Sequence, residues 1–201
     1  MTLSEYPKDV KLKDGTAVTL RPIVRQDEKI LLDFFLSLPA EDRLYLRHDV
    51  SKPEVVRSWT ENIDYDRFLP IIALSGDRVV GNATLYQNPF SWMRHVGSIR
   101  VVVAPDFRGK GMARVLAAEI VHNALARDLE KLVAEMATDQ HDARRVFSRI
   151  GFREEAILKD HITDARGVKH DLLLMTNDVN ALWRNWTEFV ESVNGPGLME
   201  H

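Results

Sequence analysis

Val101-Val102-Val103-Ala104-Pro105-Asp106-Phe107-Arg108-Gly109-Lys110-Gly111-Met112-Ala113 reads as an apolar strand, a turn at Pro105-Asp106, a basic glycine-bearing loop and the start of a helix. The helix is expected from about Gly111 to Asp128, with no internal Gly or Pro. Its apolar stripe is Ala113, Ala117, Ile120, Val121 and Ala124, at helical spacing. The first N–H groups of a helix have no internal acceptor, and the helix dipole is positive at that end. A strand feeding a loop into such a helix therefore makes an anion site. Gly109 and Gly111 let the backbone come close to a ligand, and Arg108, Lys110 and Arg114 add positive charge. The expected guest is a phosphate, with a diphosphate preferred.

Outside this stretch the composition bounds the answer. The chain has 201 residues, 45% of them hydrophobic and 28% charged, which fits one globular domain over 1–201 with a real core. A formal net charge of -3 argues against a general nucleic-acid or membrane binder. There is no cysteine, which excludes disulfides, thiolate catalysis and cysteine-ligated zinc. The first residues carry no secretory signal, and no run of about 18 apolar residues suggests a membrane span. A cytoplasmic protein is the expectation.

In chain order, residues 1 to 15 read as a loose arm, followed by a strand over Ala17–Ile23. Gln26 and Asp27 open a helix with Leu31, Phe34, Phe35 and Leu38 on one face, and a second helix runs from Pro53 to Ile63. Leu44-Tyr45-Leu46-Arg47-His48 between them is ambiguous. Two strands, Leu69–Ser75 and Arg78–Tyr86, flank a hairpin turn at Gly76-Asp77. Gly97–Val103 leads into the loop; Lys131–Ala137 is the next strand, and Asp142–Ile150 a helix stopped by Gly151. Strands at Arg153–Ile162 and Val168–Thr176 follow, then an amphipathic helix over about 179–193.

Two known phosphate loops fail here. A P-loop needs Ser or Thr after Lys110, where this chain has Gly111; the dinucleotide fingerprint needs glycine at Arg114. What fits is R-x-x-G-x-A at Arg108, Gly111 and Ala113, preceded by V-x-V-x-P at Val101, Val103 and Pro105. This resembles the acyl-CoA loop of the GCN5-related N-acetyltransferase (GNAT) superfamily. Local patterning alone gives only mixed α and β. The resemblance, over a core of about 17–176, implies the α+β GNAT (acyl-CoA N-acyltransferase) fold. That fold is a mixed, mostly antiparallel sheet of about seven strands flanked by helices, splayed between 97–103 and 131–137. Asp14-Gly15-Thr16, Leu20-Arg21-Pro22-Ile23 and Phe34-Phe35 are further similar to the GNAT domain of bacterial protein lysine acetyltransferases. Many of those carry a glutamate where this chain has Ser98-Ile99-Arg100.

The resemblance implies an N-acetyltransferase using acetyl-CoA as co-substrate, with no metal, in which an amine attacks directly in a ternary complex. Arg108, Gly109, Lys110, Gly111, Met112 and Ala113 would hold the diphosphate, and Val101, Val102 and Val103 the pantetheine and thioester. Glu135 sits in the otherwise apolar Lys131–Ala137, five residues before Gln140. The ribosomal-protein N-terminal acetyltransferases of the superfamily place a glutamate base five residues before a cofactor-contacting asparagine, so Glu135 matches their base. An apolar setting would raise its pKa and favour proton acceptance near neutrality. The other reading is a half-buried glutamate on a solvent face. Where the family reads N-x-x-A-x-x-x-Y-x-x-x-G-F, this chain has Gln140, Ala143, Phe147, Gly151 and Phe152. Gln140 keeps an amide donor for the cofactor, but Phe147 in the same cofactor pocket cannot protonate a leaving thiolate. A thiol of pKa about 8.5, with cysteine as the model, leaves tolerably well unaided.

His141, His161 and His170 make no familiar metal-ligand spacing. Tyr86 and Trp92 read either as pocket walls or as core aromatics, and the last helix either as a lid over the sheet or as a homodimer contact. The acceptor is left open among an amino acid, a polyamine, a protein lysine and a protein N-terminus. Two other readings remain at this stage: an acyl-CoA-binding module without turnover, and a nucleotide-binding domain using the same loop.

Overall fold

The computed structural model describes residues 5–46 and 48–181. Eight strands form one sheet in the order β1-β2-β3-β4-β5-β6-β8-β7. They are β1 (Lys8–Lys11), β2 (Ala17–Pro22), β3 (Phe68–Ser75), β4 (Arg78–Gln87), β5 (Val96–Val103), β6 (Lys131–Ala137), β7 (Arg153–Thr163) and β8 (Lys169–Asp178). All neighbours are antiparallel except β5 and β6. The helices are α1 (Glu28–Ser37), α2 (Ala40–Arg43), α3 (Pro53–Glu61), α4 (Met112–Leu125) and α5 (His141–Ile150). This is the mixed, mostly antiparallel sheet flanked by helices expected above, with eight strands among the described residues. The amphipathic helix expected over 179–193 lies outside the described residues beyond a helical start at 179–181.

Centre and edge of the sheet follow from side-chain chemistry. Leu69, Ile71, Ile72 and Ala73 of β3 are all fully buried, a near-continuous apolar run covered on both faces. At the far edge, β7 is largely exposed and rich in charge, as an unpaired edge should be. The two faces can be assigned from one glycine. A Cβ on Gly81 would lie 2.8 Å from Leu116 of α4, so Gly81 faces α4. Its ladder partner Val103 and the alternate pair Ala83 and Val101 share that face. Asn82, Thr84, Arg100 and Val102 face the opposite way, toward α1 and α3. The turn between β3 and β4 uses Gly76 at φ +60°. The start of α1 is fixed by Asp27, which is 3% exposed and takes two bonds from the Arg21 guanidinium, at 2.6 and 2.8 Å.

Residues 8–11 are not a loose arm. They form an edge strand antiparallel to β2. Tyr6 and Lys8 beside it both donate to the carboxylate of Glu119, a largely buried residue of α4, and Asn123 donates to the Tyr6 hydroxyl at 2.8 Å. Tyr6 and Lys8 thereby stitch the segment before and within β1 onto the middle of α4. Among the described residues no helix is long and apolar enough to cross a membrane.

Candidate active site

The parallel ladder between β5 and β6 runs from Val96 opposite Lys131 to Ile99 opposite Ala134 and then stops. Each strand continues with its other neighbour: β5 stays on β4 as far as Val103 opposite Gly81, and β6 stays on β8 as far as Ala137 opposite Leu172. Residues 100–103 and 135–137 therefore part and leave a wedge-shaped opening. In an antiparallel ladder, main-chain groups of alternate residues point to the same side. Ala104 donates its N–H to Val80 of β4 at 3.0 Å, so Val102 also turns its main chain to β4. Val101 and Val103 turn theirs to the opening. The three valines are thus unequal, and only two can offer backbone to something lying in the wedge. The Val103 carbonyl already accepts from the Arg108 Nε at 3.3 Å.

The loop before α4 has the geometry of an anion cradle. Among the described residues, the N–H groups of Gly109, Lys110, Gly111, Met112 and Ala113 donate to no protein acceptor. Gly111 caps α4 in the left-handed region, at φ +88° and ψ 3°. Gly109 is also left-handed, at φ +76°, and a Cβ there would meet nothing within 4 Å. The open approach is over Gly109. Over Gly111 lies the stem of Lys13, whose Cγ would be 3.3 Å from an added Cβ. The expected loop charges are partly spent inside the protein. Arg108 pairs with Asp42 of α2, and Lys110 sits 3.3 Å from Asp14 with its ammonium 4.8 Å above the Phe107 ring. Asp106, just upstream, takes two bonds from Arg78, at 2.7 and 3.0 Å, which hold its carboxyl below the ordinary range. These partners come from distant segments, and no local pattern in the sequence announces them.

On the sheet face away from α4, a pocket of about 40 Å³ is walled by Phe35, Trp59 and Tyr86 and floored by Asn82, Thr84 and Arg100. Arg100 is the first β5 residue past the last β5–β6 pair. Continuing the register sets it opposite Glu135, and the two share a face because Ser98 is paired with Val133. Glu135 is half-buried and opposite Leu174 of β8. Pocket and wedge therefore meet at Arg100, which lines the pocket, while Glu135 stands on β6 across the wedge and is not part of the pocket wall. Just past β6, Tyr45 donates to Asp139 at 2.9 Å, and the His170 ring lies between Asp139 and the buried Asp164, at 3.1 and 3.3 Å. Tyr45, from the ambiguous stretch, thus reaches the end of β6, while Leu46 and His48 line the pocket. Trp92 is 87% exposed and does not line this pocket.

Gln140 precedes α5 and folds back so that its Oε1 accepts the Ala137 N–H at 3.0 Å, which leaves the NH₂ end of the amide pointing elsewhere. Phe147 is 7% exposed and packs edge-on to Phe152 with ring centroids 5.1 Å apart. An acyl-CoA fits this donor set: acceptor-free amides for a diphosphate, an open glycine for close approach, and a strand edge with unpaired amides for an extended, amide-containing arm.

A model of the Acetyltransferase (GNAT) family matches residues 32–152. No protein of curated function matches the chain. Among solved structures, the GNAT domain of S. lividans PAT superposes with a TM-score of 0.75 at 19% identity, covering 87% of this chain and 98% of that one. Ribosomal-protein-alanine N-acetyltransferase from Brucella melitensis gives 0.68 at 28% identity, over 79% and 98%. YncA from Salmonella typhimurium, a putative acetyltransferase solved with its cofactor acetyl-CoA, gives 0.67 at 18% identity, over 81% and 94%.

Proposed function

Because the chain belongs to the acetyltransferase (GNAT) family, we propose that it is an acetyl-CoA-dependent N-acetyltransferase acting on a primary amine by direct attack in a ternary complex. The observation that carries this reading is the run of acceptor-free amides from Gly109 to Ala113, set beside the splayed edge of β5. Bound there, acetyl-CoA supplies an activated acetyl thioester. The Gly109–Ala113 amides hold its diphosphate, and Val101 and Val103 present main-chain groups to its pantetheine arm. Charge develops on the carbonyl oxygen during attack, and a fixed main-chain N–H is a suitable donor for it; Val101 is assigned that role. Glu135 takes the proton from the incoming amine, which enters from the pocket beside Arg100. With phenylalanine at position 147, that side chain supplies no proton to the departing thiolate. The amine acceptor, small molecule or protein, reaches the thioester from the face opposite α4.

The test is thioester consumption, read as free thiol, across a panel of amino acids, polyamines and peptides, alongside calorimetric CoA binding. CoA binding with turnover on at least one amine is expected. Glu135→Gln should lower kcat by about 10²- to 10⁴-fold, the usual range for a general base, with CoA affinity unchanged. Full activity of that variant across pH removes Glu135 from the role. A second reading, an acyl-CoA-binding module without turnover, is favoured by the missing hydroxyl at Phe147. It predicts CoA binding with no amine consumed.

A further inference from the structure

Lys13 stands on the turn between β1 and β2, and three contacts bring it to the start of α4. Its N–H donates to the Lys110 carbonyl at 3.2 Å. The next residue, Asp14, pairs with the Lys110 ammonium. Its aliphatic stem crosses Gly111, with Cγ 3.3 Å and Cδ and Cε each 3.5 Å from the point a Cβ would occupy. Nζ is one bond of about 1.5 Å beyond Cε, so the ammonium lies within about 5 Å of that point. That keeps the ammonium close to Gly111, the residue that caps the start of α4. Arg108 and Lys110 share their charge with Asp42 and Asp14. Lys13 shares its own with no carboxylate among the described residues.

We propose that Lys13 is a ligand for the acyl-CoA diphosphate, carried to the cradle by the β1–β2 turn. The inference rests on the acyl-CoA reading of the loop given above. Its logic is one of charge. The Gly109–Ala113 amides offer directed donors but only partial positive charge, and the two loop cations are already half-neutralised. The dianionic linkage needs a full counter-charge. Lys13 provides one from a position fixed by its own main chain, and its stem covers one side of Gly111, which leaves the ligand to approach over Gly109.

The experiment is calorimetric titration of CoA and of 3′-dephospho-CoA into the wild type, Lys13→Met and Lys13→Arg, with Tm measured for each. Methionine keeps an unbranched stem over Gly111 and removes only the charge. Loss of one charge-assisted contact should weaken Lys13→Met roughly tenfold for both ligands, with Tm unchanged. Lys13→Arg should stay within about twofold of the wild type. A Lys13→Met affinity within about twofold of wild type overturns the assignment. So does a loss seen with CoA and absent with 3′-dephospho-CoA, which would move the contact to the 3′-phosphate. A loss that arginine fails to restore and that comes with a lowered Tm reduces Lys13 to packing and also overturns it. If the wild type itself binds no CoA, the loop reading fails first, a result distinct from all of these.

Discussion

Replacing Gly111 by valine separates the loop's conformation from its ligand. Gly111 sits at φ +88°. An L-residue in the left-handed region costs about 1–2 kcal/mol, and a β-branched one lies at or above the top of that range. The added Cβ would also press on Lys13 Cγ at 3.3 Å, tight but against a flexible stem that can move. A destabilisation of about 2 kcal/mol follows. Against a usual total of about 5–15 kcal/mol the protein stays folded, and at this size Tm should fall by roughly 4–8 °C. Binding should suffer more than stability. If valine forces the backbone out of the left-handed region, the N–H groups of Gly111 and Met112 no longer aim at one point. CoA affinity measured on the folded variant should then drop beyond detection. Thermal unfolding and calorimetric titration read the two effects separately. Adding Lys13→Ala should recover part of the stability and none of the binding, because it relieves the contact and not the φ strain. A folded Gly111→Val that binds CoA as tightly as the wild type would refute the cradle.

Two further outcomes test the frame around the site. Gly97 lies at the closed end of the wedge, where a Cβ would be 2.8 Å from Leu129, 2.9 Å from Leu85 and 3.1 Å from Leu132; Gly97→Ala should cost about 1–3 kcal/mol in urea unfolding, as overpacking does. For Asp164, burial works to raise the pKa but is outweighed by the Val168 N–H, the Arg166 guanidinium and His170, so the carboxyl lies well below its ordinary range. A group with a lowered folded pKa stabilises the fold above its unfolded pKa of about 3.9 and loses that contribution as pH falls through the folded value. Asp164→Asn should therefore lower Tm at pH 7 and narrow the gap between Tm at pH 7 and at pH 3; an unchanged gap would remove Asp164 from the acid response.

The legible parts of the chain were those where one local pattern decides the outcome. Three valines, a proline, two glycines and a helix start without a side-chain cap specify strand, turn and helix in one short stretch. The boundaries of α5 and of the β3–β4 hairpin follow from Gly151 and Gly76 in the same way. What escaped depends on partners far along the chain. Lys8-Asp9-Val10-Lys11 has a single apolar residue and no strand signal of its own; pairing with β2 and the Tyr6 and Lys8 bonds to Glu119 hold it. Arg108 is a loop cation by sequence, yet its carboxylate partner lies 66 residues away in α2. His170 offers no metal spacing, and the two aspartates flanking it come from separate loops. The unequal roles of the three valines depend on ladder parity, which needs the neighbouring strand before it can be read.

The stretch from Asp106 to Lys110 is moored to three separate parts of the protein, through Arg78, Asp42 and Asp14. Each mooring is an ion pair open to solvent, individually worth under about 1 kcal/mol and weakened as the screening length shortens to roughly 3 Å at 1 M salt. Raising ionic strength would then act twice on the same event, screening the ligand from the cradle and slackening the lines that keep the cradle in shape. A slope of affinity against salt steeper than the phosphate charges alone account for is the signature such an arrangement leaves.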